Sequence, residues 1–286
     1  MSTPPTAHTT RFAPSPTGRL HLGHVFAALF AHRAAHIALG GRFLIRIEDI
    51  DATRARPDFE AAIFDDLAWL GLTWEQPVLR QSDHLHDYRA ALDTLEARGL
   101  LYPCFCTRRE IQDEIARAGD APQGPDGPLY PGTCRSLSAD QRRQRMDSGA
   151  AYALRLDVGK ACRQLAAPLF FTDLTHGTQE AKPDVFGDVV LARKDTPGSY
   201  HLAVVVDDAR QGITLVTRGE DLLPATHLHR LLQHLLGLPV PLWQHHRLIT
   251  DETGRRLAKR DNDRSVESMH LAGYSPQDIL STIGML

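Results

Sequence analysis

The spacing of apolar positions changes several times along the chain, and each change marks an element. A short extended run ends at Pro14 and Pro16. A turn containing Gly18 follows, then an apolar helical run over 25–37. Gly40 and Gly41 stop that helix, and Arg42–Ile47 reads as a strand. Phe59, Ile63, Leu67 and Leu70 lie at helical spacing, with Asp65 and Asp66 able to face water, which predicts an amphipathic helix over 58–70. A further helix is expected over 83–98, stopped by Gly99. Strand, helix and strand in this order predict a parallel, Rossmann-like α/β unit. Ligands of such sheets sit beyond the C-terminal ends of the strands.

The pattern breaks after Leu100. Cys104 and Cys106 open a region that is Gly- and Pro-rich over 119–132 and carries a charged helical segment over 138–147. Short runs at 152–156, 170–173 and 188–191 are strand candidates. The sheet is expected to resume at 200–208, whose continuous apolar middle fits a strand or helix covered on both sides. A clearer strand spans 213–217. A helix over 225–236 ends at Gly237, with its leucines packed and His227, His229 and His234 expected at the surface.

Composition narrows the class. A chain of 286 residues can hold one large α/β domain plus an insertion. With 42% hydrophobic and 23% charged residues it should fold rather than stay disordered. A net charge of -3 excludes a bulk polycation, so any nucleic-acid surface must be a local patch. No apolar run is long enough to span a membrane, and residues 1–10 read as a flexible Thr/Pro-rich tail. Four cysteines do not make a disulfide framework here; reduced thiols or a metal, in the cytoplasm, fit better.

Four stretches concentrate chemistry. His21-Leu22-Gly23-His24 falls at a helix start, where unpaired N–H groups and the helix dipole favour phosphate. His21 and His24 share a face, and Gly23 between them lets a ligand approach the backbone. Two imidazoles there could donate to phosphates as charge shifts, or be plain solvated groups. Glu48, Asp49 and Asp51 end a strand and serve either as turn and cap residues or, through Glu48, as a partner for a ligand ammonium. Arg218 ends another strand and either pairs with Asp207 or Asp208 or holds a carboxylate by its fork. Cys104, Cys106, Tyr130 and Cys134 read either as a zinc site or as buried reduced thiols beside a tyrosine. Cys162 lies apart as an ordinary core thiol.

The run from Arg11 to His24 resembles the HIGH signature of class I aminoacyl-tRNA synthetases. Its Arg-Phe-Ala-Pro-Ser-Pro-Thr-Gly portion is specific to the glutamyl and glutaminyl branch. Arg-Ile-Glu-Asp-x-Asp-x-x-Arg from Arg46, Tyr-x-Leu-Ala-x-Val-Val-Asp-Asp from Tyr200 and Arg-Gly-Glu-Asp from Arg218 extend the resemblance. Residues 256–260 resemble a degenerate KMSKS loop, with Arg256 for the first lysine, Ala258 for the serine, and Lys259 kept. The Cys-x-Cys and Tyr-x-x-x-Cys pairs resemble a zinc element of short glutamyl-synthetase relatives.

The resemblance implies a Rossmann-like catalytic domain in two halves, 11–99 and 172–236. Between them, 100–171 would be a zinc-type, acceptor-binding-like insert, and 237–286 would hold the lysine loop and a helical segment. It implies ATP with Mg2+ at His21, Gly23, His24, Leu257 and Lys259. L-glutamate would lie against Arg11, Phe12, Ala13, Pro14, Ser15, Glu48, Tyr200 and Arg218. Arg11 would take the side-chain carboxylate and Glu48 the α-amino group. One structural Zn2+ would sit on Cys104, Cys106, Tyr130 and Cys134. Few residues follow Arg260, where a full glutamyl-tRNA synthetase carries its anticodon-binding domain. With the zinc element this resembles the glutamyl-Q tRNA(Asp) synthetase family. That implies tRNA-independent formation of glutamyl-AMP and transfer to queuosine at the wobble position of tRNA(Asp), by a cytoplasmic monomer away from membranes. A truncated enzyme charging tRNA(Glu), or a catalytically silent tRNA-binding paralogue with an altered lysine loop, are the other readings.

Overall fold

The computed structural model describes residues 6–118, 123–125, 127–193, 196–250 and 265–285. The first Rossmann-like half runs β1 (Thr9–Phe12), α1 (Leu22–Ala35), β2 (Arg42–Ile47), α2 (Pro57–Trp69), β3 (Glu75–Arg80) and α3 (Leu85–Ala97). These strands form a parallel sheet in the order β1-β2-β3. Helix α1 starts earlier than its apolar run suggests, because His21 itself is the N-cap. Gly41 is required where it stands: a Cβ there would lie 1.7 Å from the Ala35 carbonyl oxygen.

The chain continues with β4 (Leu101–Cys104) and α4 (Arg108–Ala118). A short hairpin, β5 (Gln123–Gly124) and β6 (Gly127–Pro128), precedes α5 (Ala139–Asp147), whose capping box uses Ser138 and Gln141. Then come β7 (Ala153–Leu156), α6 (Val158–Arg163), β8 (Phe170–Asp173), β9 (Gly177–Glu180) and β10 (Val190–Arg193). Strands β4, β7 and β10 make an antiparallel sheet of their own.

Residues 200–208, expected to resume the sheet, are instead most of a helix, α7 (Tyr200–Arg210). Ser199 caps it by accepting from the Leu202 N–H, and Leu202, Ala203, Val204 and Val205 are all buried. A helix covered on several sides loses its amphipathic period, so its sequence looks like a core strand. The chain continues through β11 (Leu215–Gly219), α8 (Leu223–Leu236), β12 (Leu242–His246), α9 (Val266–Leu271) and α10 (Pro276–Thr282). Strands β11, β12 and β8 are parallel, with β9 antiparallel at the edge. The Thr214 N–H donates to the Thr9 carbonyl at 3.0 Å and joins the β11 edge to β1. The order β3-β2-β1-β11-β12 therefore reverses direction of growth at β1. A crevice at that switch point is where doubly wound sheets bind ligands.

Candidate active site

A cavity of about 260 Å³ opens at that switch point. Arg11, Phe12 and Ala13 enter it from the end of β1, and His21, Gly23 and His24 from the start of α1. Glu48 comes from beyond β2, Tyr200 from α7, and Arg218 from β11. Residues scattered over two hundred positions thus meet because parallel strands end at one edge. Pro14 lies outside the lining and fixes Glu48, whose N–H donates to the Pro14 carbonyl at 3.0 Å. Ser15 lines a second cavity of about 330 Å³, which shares Glu48 and Tyr200 with the first and also takes in Asp51, Gln81 and Ser199. Leu257 and Lys259, with the rest of 251–264, lie outside the described residues.

The two motif histidines are part of the helix cap. His21 Nδ1 accepts from the Gly23 N–H at 3.1 Å, and His24 Nδ1 accepts from the His21 N–H at 3.2 Å. The rings stack with centroids 3.8 Å apart. An Nδ1 that accepts a backbone N–H carries no proton, so in the neutral ring the proton sits on Nε2. Each ring is thereby fixed as a donor at its outer nitrogen. A Cβ on Gly23 would come within 3.0 Å of the His21 ring, so glycine here protects the cap as well as the approach of a ligand.

Behind the cavity lies a buried ionic network. Arg11 Nε and Nη2 donate to the two oxygens of Asp208 at 2.9 and 3.3 Å, and Nη1 donates to the Thr217 carbonyl at 3.2 Å. Arg46, wholly buried, donates to Asp208 at 2.7 Å and lies 3.5 Å from Glu48 and 3.9 Å from Asp207. Tyr88 and Gln81 donate to Asp207. Burial pushes the Asp208 carboxyl up, but Arg11 and Arg46 outweigh it and hold it below the usual range. Burial wins at Glu48, which is raised despite Arg46 and Arg11. Two aspartates thus offset two arginines, while Glu48 and Arg218 bring an acid and a further arginine to the cavity wall, which Asp221 and Arg247 also line.

Arg218 makes no ion pair with a carboxylate among the described residues. Its Nε donates to His245 Nε2 at 3.1 Å, Nη2 to Thr226 Oγ1 at 2.7 Å, and Nη1 to His229 Nδ1 at 3.1 Å, with Tyr200 Oη more distant at 3.5 Å. Burial lowers its pKa from the usual guanidinium value. Neither Asp207 nor Asp208 pairs with it; Arg46 and Arg11 take them instead. His229, expected at the surface, is buried. The signal was present: Ala225, Leu228 and Leu232 lie on its face of α8 at helical spacing. Asp173, Thr226 and His245 carried no functional signal, since each becomes meaningful only through a partner remote in sequence.

Cys104, Cys106 and Cys134 bring their sulfurs within 4.8 Å of one another, and all are free thiols. The sulfurs of Cys106 and Cys134 are 3.4 Å apart, and Tyr130 Oη is 3.5 Å from the Cys106 sulfur. Tyr130 Oη also accepts from the Cys134 N–H at 2.9 Å. Arg155 stacks over the Tyr130 ring at 3.9 Å, which fixes the phenol in place. The three sulfurs and one oxygen therefore converge, as the resemblance to the zinc element implied. Cys162 lies apart.

A parallel sheet with a two-histidine helix start beside an acid and an arginine is the layout of a class I synthetase catalytic domain. The model of tRNA synthetases class I (E and Q), catalytic domain, matches residues 8–286. The glutamyl-Q tRNA(Asp) synthetase of Rhodobacter capsulatus is 52% identical over 96% of this chain and 99% of its own length. That of Nocardia farcinica is 45% identical over 96% of this chain and 82% of its own. The crystal structure of a glutamate tRNA ligase from Elizabethkingia meningosepticum in complex with its amino acid superposes with a TM-score of 0.75 at 31% identity. It covers 90% of this chain, which spans about half, 53%, of that longer structure. The chain belongs to the class I (E and Q) tRNA synthetases and, within them, to the glutamyl-Q tRNA(Asp) synthetase family. Among the described residues no helix is long and apolar enough to cross a membrane.

Proposed function

We propose that the protein activates L-glutamate with ATP, without tRNA, and transfers it to queuosine at the wobble position of tRNA(Asp). The observation that carries the amino-acid half is the pair of opposed charges on the cavity wall. Glu48 suits the α-ammonium, and Arg218 suits the side-chain carboxylate. Arg11, first expected to hold that carboxylate, already has Asp208 on two of its nitrogens, so Arg218 takes the role. Glutamine would bring an amide N–H toward a guanidinium, donor against donor.

The α-carboxylate attacks the α-phosphorus of ATP in line and pyrophosphate leaves, giving glutamyl-AMP. The Nε2–H groups of His21 and His24 donate to phosphate oxygens as charge grows in the transition state. Lys259 serves the same charge, and Mg2+ arrives with the ATP. An RNA hydroxyl then attacks the acyl carbon, AMP departs, and an ester forms; no protein nucleophile is needed. The second cavity, which shares Glu48 and Tyr200 in its wall with the first, is the side from which that hydroxyl would approach the acyl group. A monomer acting in the cytoplasm fits this reading.

Zinc would be held by Cys104, Cys106, Cys134 and Tyr130. Zn–S bonds near 2.3 Å in a tetrahedron set sulfurs about 3.8 Å apart, close to the spacing found. The buried core beside it is only Tyr102, Cys104 and Cys134 among the described residues, so a metal would supply what packing does not. Purified protein should carry one zinc per chain by elemental analysis. Cys134→Ser should lose it and open 101–156 to protease, and an intact, metal-free wild type would refute the site.

Pyrophosphate exchange with glutamate and ATP in the absence of tRNA tests activation. Exchange with glutamate, and not with glutamine or aspartate, supports the reading. Exchange that appears only on addition of tRNA(Glu) would favour the truncated charging enzyme.

A further inference from the structure

We propose that Asp173 and His245 are positioning residues that aim the Arg218 guanidinium into the cavity and so set the preference for glutamate over glutamine. The proposal rests on Arg218 being the ligand of the side-chain carboxylate. Asp173 ends β8, and His245 lies in β12, both wholly buried. The Asp173 carboxylate accepts from His245 Nδ1 at 2.6 Å and from the His245 N–H at 3.2 Å. Its other oxygen accepts from the Thr175 and His176 N–H groups at 2.8 and 2.9 Å. A carboxylate is an acceptor, so the imidazole proton sits on Nδ1. Nε2 then offers a lone pair, and Arg218 Nε–H donates to it at 3.1 Å. Burial, the larger influence, lowers the His245 pKa to about 4 against the opposing effect of Asp173, consistent with a neutral ring at pH 7.

The other protein neighbours of Arg218 are acceptors too: Thr226 Oγ1 and His229 Nδ1. They hold one side of the guanidinium plane. The second Nη2 hydrogen, and the Nη1 hydrogen whose contact with Tyr200 is long, remain for a ligand. The contrast with Arg11 is instructive. There the carboxylate of Asp208 pairs directly with the guanidinium along its Nε–Nη2 edge and balances its charge. Here Asp173 acts through an imidazole, so among the described residues no carboxylate touches the guanidinium and its charge is left for a ligand. An open fork wants two acceptor oxygens, which a carboxylate has and an amide lacks.

Asp173→Asn tests this. An amide can donate to Nδ1, which moves the ring proton to Nε2 and sets it against Arg218 Nε–H. KM for glutamate in pyrophosphate exchange should rise roughly 10- to 100-fold. Discrimination against glutamine should fall, and KM for ATP should stay within about twofold. His245→Gln places an amide oxygen near the Nε2 position and should retain most of the glutamate affinity. Nitrogen-15 spectra of labelled histidine give a second readout, independent of substrate: His245 should be protonated on Nδ1 in the wild type. Wild-type glutamate KM in Asp173→Asn, equal losses for both substrates in both variants, or an Nε2-protonated His245 in the wild type would each overturn the proposal. Absent exchange in the wild type would instead refute the glutamate reading of the site, and the spectra would still decide the relay.

Discussion

Arg218→Met should leave ATP binding intact and nearly abolish glutamate activation. Removing one member of a buried, hydrogen-bonded charge pair costs about 2–5 kcal/mol, or roughly 30-fold to several thousandfold in kcat/KM for glutamate. The loss should fall mainly on KM for glutamate, because the interaction exists before and during the chemical step. Arg218 is buried and its protein partners are neutral side chains, so methionine removes a charge without exposing a carboxylate beside it. Arg218→Lys should fare little better, since a point charge cannot reproduce contacts to Thr226, His229 and His245 together with a two-oxygen fork. A kcat/KM within tenfold of wild type for the methionine variant would move the carboxylate subsite elsewhere.

His21→Asn should do the reverse. Asparagine is a good N-cap and keeps an acceptor for the Gly23 N–H, so the start of α1 should hold. It loses the Nε2–H that points outward from the capping nitrogen. Removing one donor to a charge-developing oxygen costs about 100- to 1,000-fold in kcat. Stopped-flow or exchange assays should show that fall, with KM for glutamate and the melting temperature close to wild type. A matched drop in melting temperature and in both KM values would mean that His21 is a cap and nothing more.

The contrast between these variants follows from where the two motifs lie. Helix α1, with its histidines, and the strand end at Glu48 were legible in the sequence because each is a local pattern: cap, turn and periodic apolar run within a few residues. The sulfur and phenol cluster was legible through the family resemblance, since its spacing alone left a zinc site and buried thiols equally open. Helix α7 was not, because its Leu202–Val205 face is buried throughout and leaves no polar stripe to mark a helical period. The pairing of charges was also hidden. Arg11, Arg46, Asp207 and Asp208 are four ions whose partners depend on which strand ends adjoin, and the order β2-β1-β11 decides it. That pairing is the reason Arg218, rather than Arg11, is proposed as the partner of the glutamate side chain. His229 shows the same effect on α8: a histidine that composition assigns to water is drawn inside by the arginine it accepts from.

The central claim is that glutamate ends on the anticodon of tRNA(Asp) rather than on a terminal adenosine. The most direct measurement is transfer of labelled glutamate to tRNA(Asp) with and without queuosine, each also prepared lacking its 3′ adenosine. The expected result is about one glutamate per queuosine-containing tRNA(Asp), unaffected by loss of the 3′ adenosine, released by mild alkali and recovered in the anticodon fragment after nuclease digestion. Label on tRNA(Glu) that vanishes with the terminal adenosine would contradict it.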